Sequence, residues 1–219
     1  MAKSLKEQNN AYLWLIIAAN SLFLYGVMQA DTIELNGFRS IFSDAQKLLP
    51  VGFVVVITAV LNGFFSSDTK ARLVFLRWHN ALPGHRAFSQ YAKSDPRIDL
   101  VALEKILGSA FPVDPLDQNR EWYKMYKTVE KEPAVSQVHK DFLLLRDYTG
   151  LCVLFIVFYG AVGLYVIPSW KTFGFYLLLL IIQYVVVRQA ASHYGVRMVT
   201  NVLAQKAARA TKSPQHGTQ

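Results

Sequence analysis

The sequence is poor in cysteine and in charge. Its single cysteine, Cys152, cannot form an intramolecular disulfide, so nothing implies an oxidising compartment. Charged residues make up only 17% of the chain, below the roughly 25% of soluble domains, and they are almost absent from four long apolar stretches. A soluble domain would spread its apolar residues through a core. This concentration in blocks therefore indicates an integral membrane protein.

Patterns typical of catalysis are missing as well. The sequence contains no Gly-x-Ser-x-Gly turn and no phosphate-binding Walker loop. His79, His85 and His139 do not have the i, i+4 spacing of a helical metal site, and no pair of cysteines could assist them. We therefore expect no enzymatic activity, no metal site and no cofactor, and we assign no catalytic residue.

The four apolar stretches have the length of membrane spans. They cover about residues 11–30, 48–66 and 148–168, and the fourth is a shorter run from Phe173 to Val187 that continues as a basic amphipathic segment. About 20 helical residues at 1.5 Å each match the roughly 30 Å hydrocarbon core of a bilayer. The linker before the fourth stretch is too short to hold a domain. We predict an all-α membrane protein with four transmembrane helices arranged as two hairpins.

Basic residues outside the spans predict the orientation. The N-terminus, the segment 67–147 and the chain from Arg188 onward hold two, thirteen and five Lys or Arg residues, whereas the opposite side holds only Arg39, Lys47 and Lys171. This bias predicts that both termini are cytoplasmic. The predicted parts are a cytoplasmic N-terminus (1–10), a first hairpin (11–66), a cytoplasmic helical domain (67–147), a second hairpin (148–190) and a basic cytoplasmic tail (191–219).

Turn and capping signals divide the segment 67–147 into helices. We expect the second span to continue as a helix through Trp78 and to end before the Pro83-Gly84 turn. Three more helices are predicted from N-cap residues, prolines and one C-cap glycine. Their signals are Asp99 with Gly108, Asp114-Pro115, and Glu132-Pro133, and the last of these helices should run straight into the third span.

The densest cluster of candidate binding residues surrounds the Pro83-Gly84 turn. Its basic and aromatic side chains could hold a phosphate or another anion, with a base stacked on the tryptophan. The candidates are Arg77, Trp78, His79, His85 and Arg86. This interpretation leaves a nucleotide or nucleic-acid ligand open. The alternative is a juxtamembrane turn whose arginines meet lipid headgroups or pair with Asp95, Asp99 or Asp147.

Uncharged polar residues interrupt the predicted spans. Asn20, Thr58, Asn62 and Gln183 are candidates either for hydrogen bonds between helices or for the lining of a pore in an oligomer.

The basic tail favours contact with the membrane surface. A helix rich in small residues is expected to lie along the anionic inner leaflet, with each basic side chain contributing about 1 kcal/mol. The residues expected to face lipid headgroups are Arg188, Arg197, Lys206 and Arg209.

The arrangement of two helical hairpins around a cytoplasmic helical insert resembles the membrane components of bacterial antiphage defence systems. These include small multi-span effectors that damage the inner membrane, and the four-span membrane subunit of the Kiwa system, which works with a cytoplasmic DNA-binding partner. The resemblance covers the span arrangement of the whole chain.

This resemblance implies a homo-oligomer, for example a tetramer, in the bacterial inner membrane. Its cytoplasmic domain would receive a signal from a ligand or a cytoplasmic protein partner. Its spans would then permeabilise the bilayer or recruit that partner. The alternative is a housekeeping membrane scaffold or assembly factor without enzymatic activity.

Overall fold

A computed structural model describes residues 5–29 and 48–212, and within these ranges it contains helices and turns but no β-strand. The segment that holds Arg39 and Lys47 lies outside the described residues, as do residues 213–219 of the tail. The prediction of an all-helical protein is confirmed for the described part of the chain. Its α-helices are α1 (Leu5–Met28), α2 (Leu48–Phe64), α3 (Ser67–Phe75), α4 (Leu100–Leu107), α5 (Pro115–Val129), α6 (Pro133–Leu154), α7 (Gly160–Val166) and α8 (Trp170–Lys212).

Tighter and wider helical turns connect some of these elements. Between α3 and α4 lie a 3-10 turn (Pro83–Arg86), a π-helical turn (Ala87–Tyr91) and one α-helical turn (Ala92–Ser94). A second π-helical turn (Phe155–Tyr159) joins α6 to α7 without a break.

Three helical runs are long and apolar enough to cross a bilayer. They are α1, the continuous run Pro133–Val166, and α8. Helix α2 adds one more candidate span when it is counted with α3 as one bent helix. Three to four candidate spans are thus present. The predicted continuous helix that begins at Pro133 is confirmed, and so is the short linker before α8.

The second span does not continue as one helix through Trp78, so that prediction is wrong. Helices α2 and α3 are bent by 99° relative to each other. The Ser66 hydroxyl accepts a hydrogen bond from the backbone N–H of Thr69 at 3.1 Å, and it therefore caps the start of a new helix. Helix α3 then ends before Trp78, where Leu76 takes a left-handed φ of 51°.

The described residues form two compact units. The span unit consists of those in Met1–Val74 and Leu143–Ala190, and the helical unit consists of those in Phe75–Phe142 and Ala191–Gln219.

Aliphatic and aromatic side chains pack in the centre of the span unit, whereas many others face outward. The buried set includes Leu24, Val54, Leu151, Phe155 and Leu180. In α8 only 17% of the most apolar window is buried. Exposed apolar surface of this extent requires lipid or another protein to cover it.

Helices α4 and α5 of the helical unit begin at the residues that the sequence predicts, and α4 also ends there. Asp99 accepts a hydrogen bond from the backbone N–H of Ala102 at 3.0 Å, and Gly108 closes α4 in a left-handed conformation. Asp114 accepts from the backbone N–H of Leu116 at 2.9 Å, so it caps α5. These caps hold a core built around Phe88, Leu103, Val129, Val135, Val202 and Leu203.

The C-terminal half of α8 belongs to this core, which differs from the tail helix expected on the leaflet surface. Val199, Val202 and Leu203 are buried among the other helices of the unit. Gly195 lies under two rings, because a Cβ at this position would stand 2.7 Å from Phe75 and 2.9 Å from Phe142. Small and apolar residues at helical spacing explain this packing, since they allow close approach of neighbouring side chains.

Candidate functional site

A hydrogen bond between two hydroxyl groups lies inside the span unit. The Ser21 hydroxyl donates to the Ile17 carbonyl at 2.7 Å, so its single proton is used. Tyr159, which is fully buried, therefore donates its O–H to the Ser21 oxygen at 2.8 Å. A buried hydroxyl without a partner is costly, so this bond fixes α1 against the π-helical turn Phe155–Tyr159.

Two of the four predicted intramembrane candidates, Asn20 and Gln183, line one groove of the span unit. Asn20 donates from Nδ2 to the Ile16 carbonyl at 2.9 Å, and Gln183 donates from Nε2 to the Tyr148 hydroxyl at 2.7 Å. The groove has a volume of about 520 Å³. The rest of its lining is mainly apolar and includes Leu15, Phe23, Leu179 and Leu180.

The side-chain amide oxygens of Asn20 and Gln183 are free to accept a hydrogen bond. Within the described parts of the chain, neither Oδ1 of Asn20 nor Oε1 of Gln183 accepts a hydrogen bond. The groove therefore offers two acceptors in apolar surroundings, which suits a polar side chain from another protein.

Thr58 and Asn62 are not brought to this groove. Both lie on α2, four residues apart and so on one face of that helix. Oδ1 of Asn62 is buried and has no hydrogen-bond partner among the residues that the structure describes. The hydroxyl of Thr58 is also buried, and it faces the Tyr159 hydroxyl.

A buried ion cluster in the span unit was not predicted. Lys70 of α3 places its ammonium group 3.3 Å from Oδ1 of Asp147, and the two side chains are only 6% and 4% exposed. Arg146 contacts the same oxygen at 3.1 Å. The cluster fastens the bent helix α3 to α6.

The residues of the predicted anion site do not form one site in the structure, because some are packed inside the helical unit and others are exposed. Pro83 and Gly84 are buried in the helical unit, and a Cβ on Gly84 would collide with Asn119 and stand 2.9 Å from Trp122. The ring of His85 hydrogen-bonds the Leu82 carbonyl through Nδ1 at 3.1 Å. The turn therefore packs against α5, and its amides are not presented to a ligand.

Arg86 is directed toward its own chain. It donates to the Asn80 carbonyl at 3.3 Å and to the Tyr91 hydroxyl at 3.4 Å, and its guanidinium lies over the Tyr91 ring. Arg77, Trp78 and His79 are instead exposed. These three are the members of the predicted cluster that a ligand can reach.

The ion pairs proposed as the alternative are not formed by these arginines in the described structure. Asp95 pairs with Arg97 at 2.7 Å, and this hydrogen-bonded guanidinium lowers the pKa of Asp95 to about 2. Arg97 also donates to Thr200 at 3.3 Å and to Asn201 at 3.2 Å. This network ties the chain before α4 to α8.

Gln118 is a second polar residue that sequence reasoning missed. Its side chain is 2% exposed, and Oε1 accepts the backbone N–H groups of Phe88 at 3.2 Å and Ser89 at 3.0 Å. Its Nε2 donates to the Val113 carbonyl at 3.0 Å. One buried amide therefore satisfies the backbone of the π-helical turn, a role that no local pattern signals.

Three of the four tail residues expected to face lipid headgroups have partners within the protein. Arg188 donates to the Val74 carbonyl at 3.3 Å, and Arg209 forms an ion pair with Glu132. Arg197 lies over the ring of Tyr194 at 5.5 Å. Lys206 is half-buried.

No protein-family model, characterised protein or solved structure matches the chain. In the searched ranges 5–29 and 48–212, no group of three His, Cys, Asp or Glu side chains is placed to hold a metal ion. The expected lack of a metal, of a cofactor and of catalysis stays a prediction. The groove of the span unit and the exposed residues Arg77, Trp78 and His79 are surfaces that a partner or ligand can reach.

Proposed function

We propose that the protein is a homo-oligomeric component of the bacterial inner membrane that acts in antiphage defence. Four spans cross the bilayer, and the termini and the helical unit are cytoplasmic. The helical unit receives a signal from a ligand or protein partner. The spans respond by permeabilising the membrane or by recruiting a cytoplasmic partner. The architectural resemblance to small multi-span defence components supports this biological setting.

The bend after α2 supports α2 alone as the second span in chain order. Helix α2 has 17 residues and is about 26 Å long, slightly shorter than a hydrocarbon core. A 99° bend at the inner end of such a span directs α3 along the membrane surface. Helix α3 suits that position, because Lys70, Ala71 and Val74 are buried while Asp68 and Arg72 are exposed.

The strongest support for a homo-oligomer is that the amide oxygens of Asn20 and Gln183 in the groove accept no hydrogen bond within the described residues. In hydrocarbon, Asn20 and Gln183 gain from a donor that lipid cannot supply, and each hydrogen bond between spans is worth about 0.6–2 kcal/mol. A second copy of the chain supplies polar side chains at the same depth. Large exposed apolar residues of α1 and α8 extend the same surface, including Leu15, Phe23 and Leu179.

The assembly is tested by replacing both groove amides with leucine. Asn20→Leu with Gln183→Leu should weaken self-association about tenfold or more, as expected for the loss of two such bonds. The readout is subunit counting by photobleaching of the labelled full-length protein in native membranes. The matched control replaces two exposed apolar residues outside the groove, Leu22→Ala with Val186→Ala, and should leave the count unchanged. An unchanged count in the leucine variant refutes the groove as the interface.

The defence role is tested in cells that express the protein with its neighbouring genes. Phage plating should drop in the presence of the protein and recover when the groove variant replaces it. A membrane-potential dye then separates the two responses. Depolarisation during defence supports permeabilisation, whereas an unchanged potential leaves recruitment of a partner. Phage sensitivity that is independent of the protein contradicts the defence role and favours the housekeeping scaffold.

A further inference from the structure

We propose that residues 76–80, here called the 76–80 loop, dock on anionic phospholipid headgroups at the cytoplasmic face of the membrane. Trp78 lies in the interface and Arg77 contacts a lipid phosphate. The proposal rests on the membrane location given under the proposed function.

The loop exposes apolar side chains. Trp78 is 77% exposed and Leu76 is 63% exposed, although both follow directly after a helix that buries Val74 completely. Tryptophan is favoured at membrane interfaces because its ring is apolar while its N–H keeps a polar partner. Exposing the apolar side chains of Leu76 and Trp78 to water is unfavourable, and the membrane interface would cover them.

The backbone of the loop holds these side chains outward. Leu76 and Asn80 have φ values of 51° and 50°, and they are the two non-glycine residues with positive φ in the described chain. Left-handed φ is strained for leucine, so the surrounding structure must impose it. At its end the loop is anchored, because Arg86 donates to the Asn80 carbonyl and Ala81 is buried.

The covalent chain keeps the loop near the end of the fourth span. The Leu73 carbonyl accepts from the Tyr184 hydroxyl at 3.1 Å, and the Val74 carbonyl accepts from Arg188, the residue that follows the last apolar position of that span. Four residues separate Val74 from Trp78, so their Cα atoms are at most about 14 Å apart. That reach includes the headgroup layer, which begins where the hydrocarbon ends.

The charge of the loop favours an anionic lipid over a neutral one. Arg77 is exposed and forms no hydrogen bond or ion pair with the residues that the structure describes. His79 beside it is exposed and offers a further donor. A soluble nucleotide is the less favoured occupant, because the neighbouring Gly84 turn that would hold its phosphate is packed against Trp122.

Fluorescence quenching in nanodiscs tests the docking. The full-length protein is placed in phosphatidylcholine with increasing phosphatidylglycerol that carries bromine on its acyl chains near the headgroup. The contribution of Trp78 is the difference between the wild type and Trp78→Phe. We expect brominated lipid to quench this contribution and aqueous acrylamide to quench it weakly. Arg77→Ala should require about fivefold more phosphatidylglycerol for the same quenching.

Quenching of the Trp78 contribution by acrylamide and not by brominated lipid overturns the proposal. So does shielding of Trp78 by added ATP in nanodiscs of pure phosphatidylcholine, which identifies a soluble phosphate as the ligand. Trp14 of α1, 51% exposed, provides the control through Trp14→Phe. If brominated lipid quenches Trp14 but not Trp78, only the loop proposal fails. If it quenches neither, the membrane location itself fails.

Discussion

Replacing Asp147 tests how the bent helix α3 is held against α6. The Asp147 carboxylate lies 3.3 Å from Lys70 and 3.1 Å from Arg146, with very little exposure to solvent. Asp147→Asn leaves two neighbouring cations without this carboxylate, and removing one partner of a buried pair costs about 3–5 kcal/mol. Lys70→Met leaves the carboxylate beside Arg146 and should cost about 1–3 kcal/mol.

The double variant Lys70→Met with Asp147→Asn should be less destabilised than the sum of the single variants. It removes the pair together, and residues in direct contact typically couple by about 0.5–3 kcal/mol. The measurement is the free energy of unfolding, from titration with SDS in mixed micelles followed by circular dichroism. The control is Asp68→Asn on the same helix, whose partner Arg72 is exposed and whose loss should cost below about 1 kcal/mol. Equal effects of Asp147→Asn and Asp68→Asn, or strict additivity in the cycle, would refute the buried cluster.

Two further predictions concern the helical unit. Gly84→Ala should destabilise it by about 1–3 kcal/mol, because the added Cβ stands 2.9 Å from Trp122. The control Gly174→Ala meets nothing within 4 Å and should be tolerated. Equal thermal stability of the two variants would contradict this packing. Pairing with Arg97 lowers the pKa of Asp95 from an ordinary 3.8 to about 2. This pairing therefore stabilises the fold above about pH 4, and the stabilisation is lost as the pH falls through 2. Asp95→Asn should therefore reduce the loss of thermal stability between pH 4 and pH 2, and an unchanged pH profile would argue against the pair.

Local chemistry made much of the fold predictable. Asp114 and Asp99 act as N-caps and Gly108 as a C-cap because such residues satisfy the terminal backbone groups wherever they stand. The bend at Ser66 follows the same chemistry, because this serine satisfies the backbone N–H of Thr69 at the start of α3. The apolar run before it favours one continuous helix, and the capping serine overrides that pattern.

Contacts between distant parts of the chain could not be predicted from the sequence. Periodicity shows which residues share a face of a helix but not which helices meet. The sequence marks Asn20 and Gln183 as unusual polar residues in apolar stretches, yet only the structure places them on one groove. Lys70 gave no signal, because a lysine near a span end is ordinarily solvated. Its burial depends on Asp147, which is far away in the sequence.

The path of the chain across the membrane is tested most directly by reporter fusions in bacteria. Green fluorescent protein, which folds only in the cytoplasm, and alkaline phosphatase, which is active only outside it, are placed after Gln219 and at Lys171 in the first turn of α8. The account predicts fluorescence without phosphatase activity at Gln219 and phosphatase activity without fluorescence at Lys171. Phosphatase activity at Gln219, or the same result at both positions, would contradict the four-span arrangement.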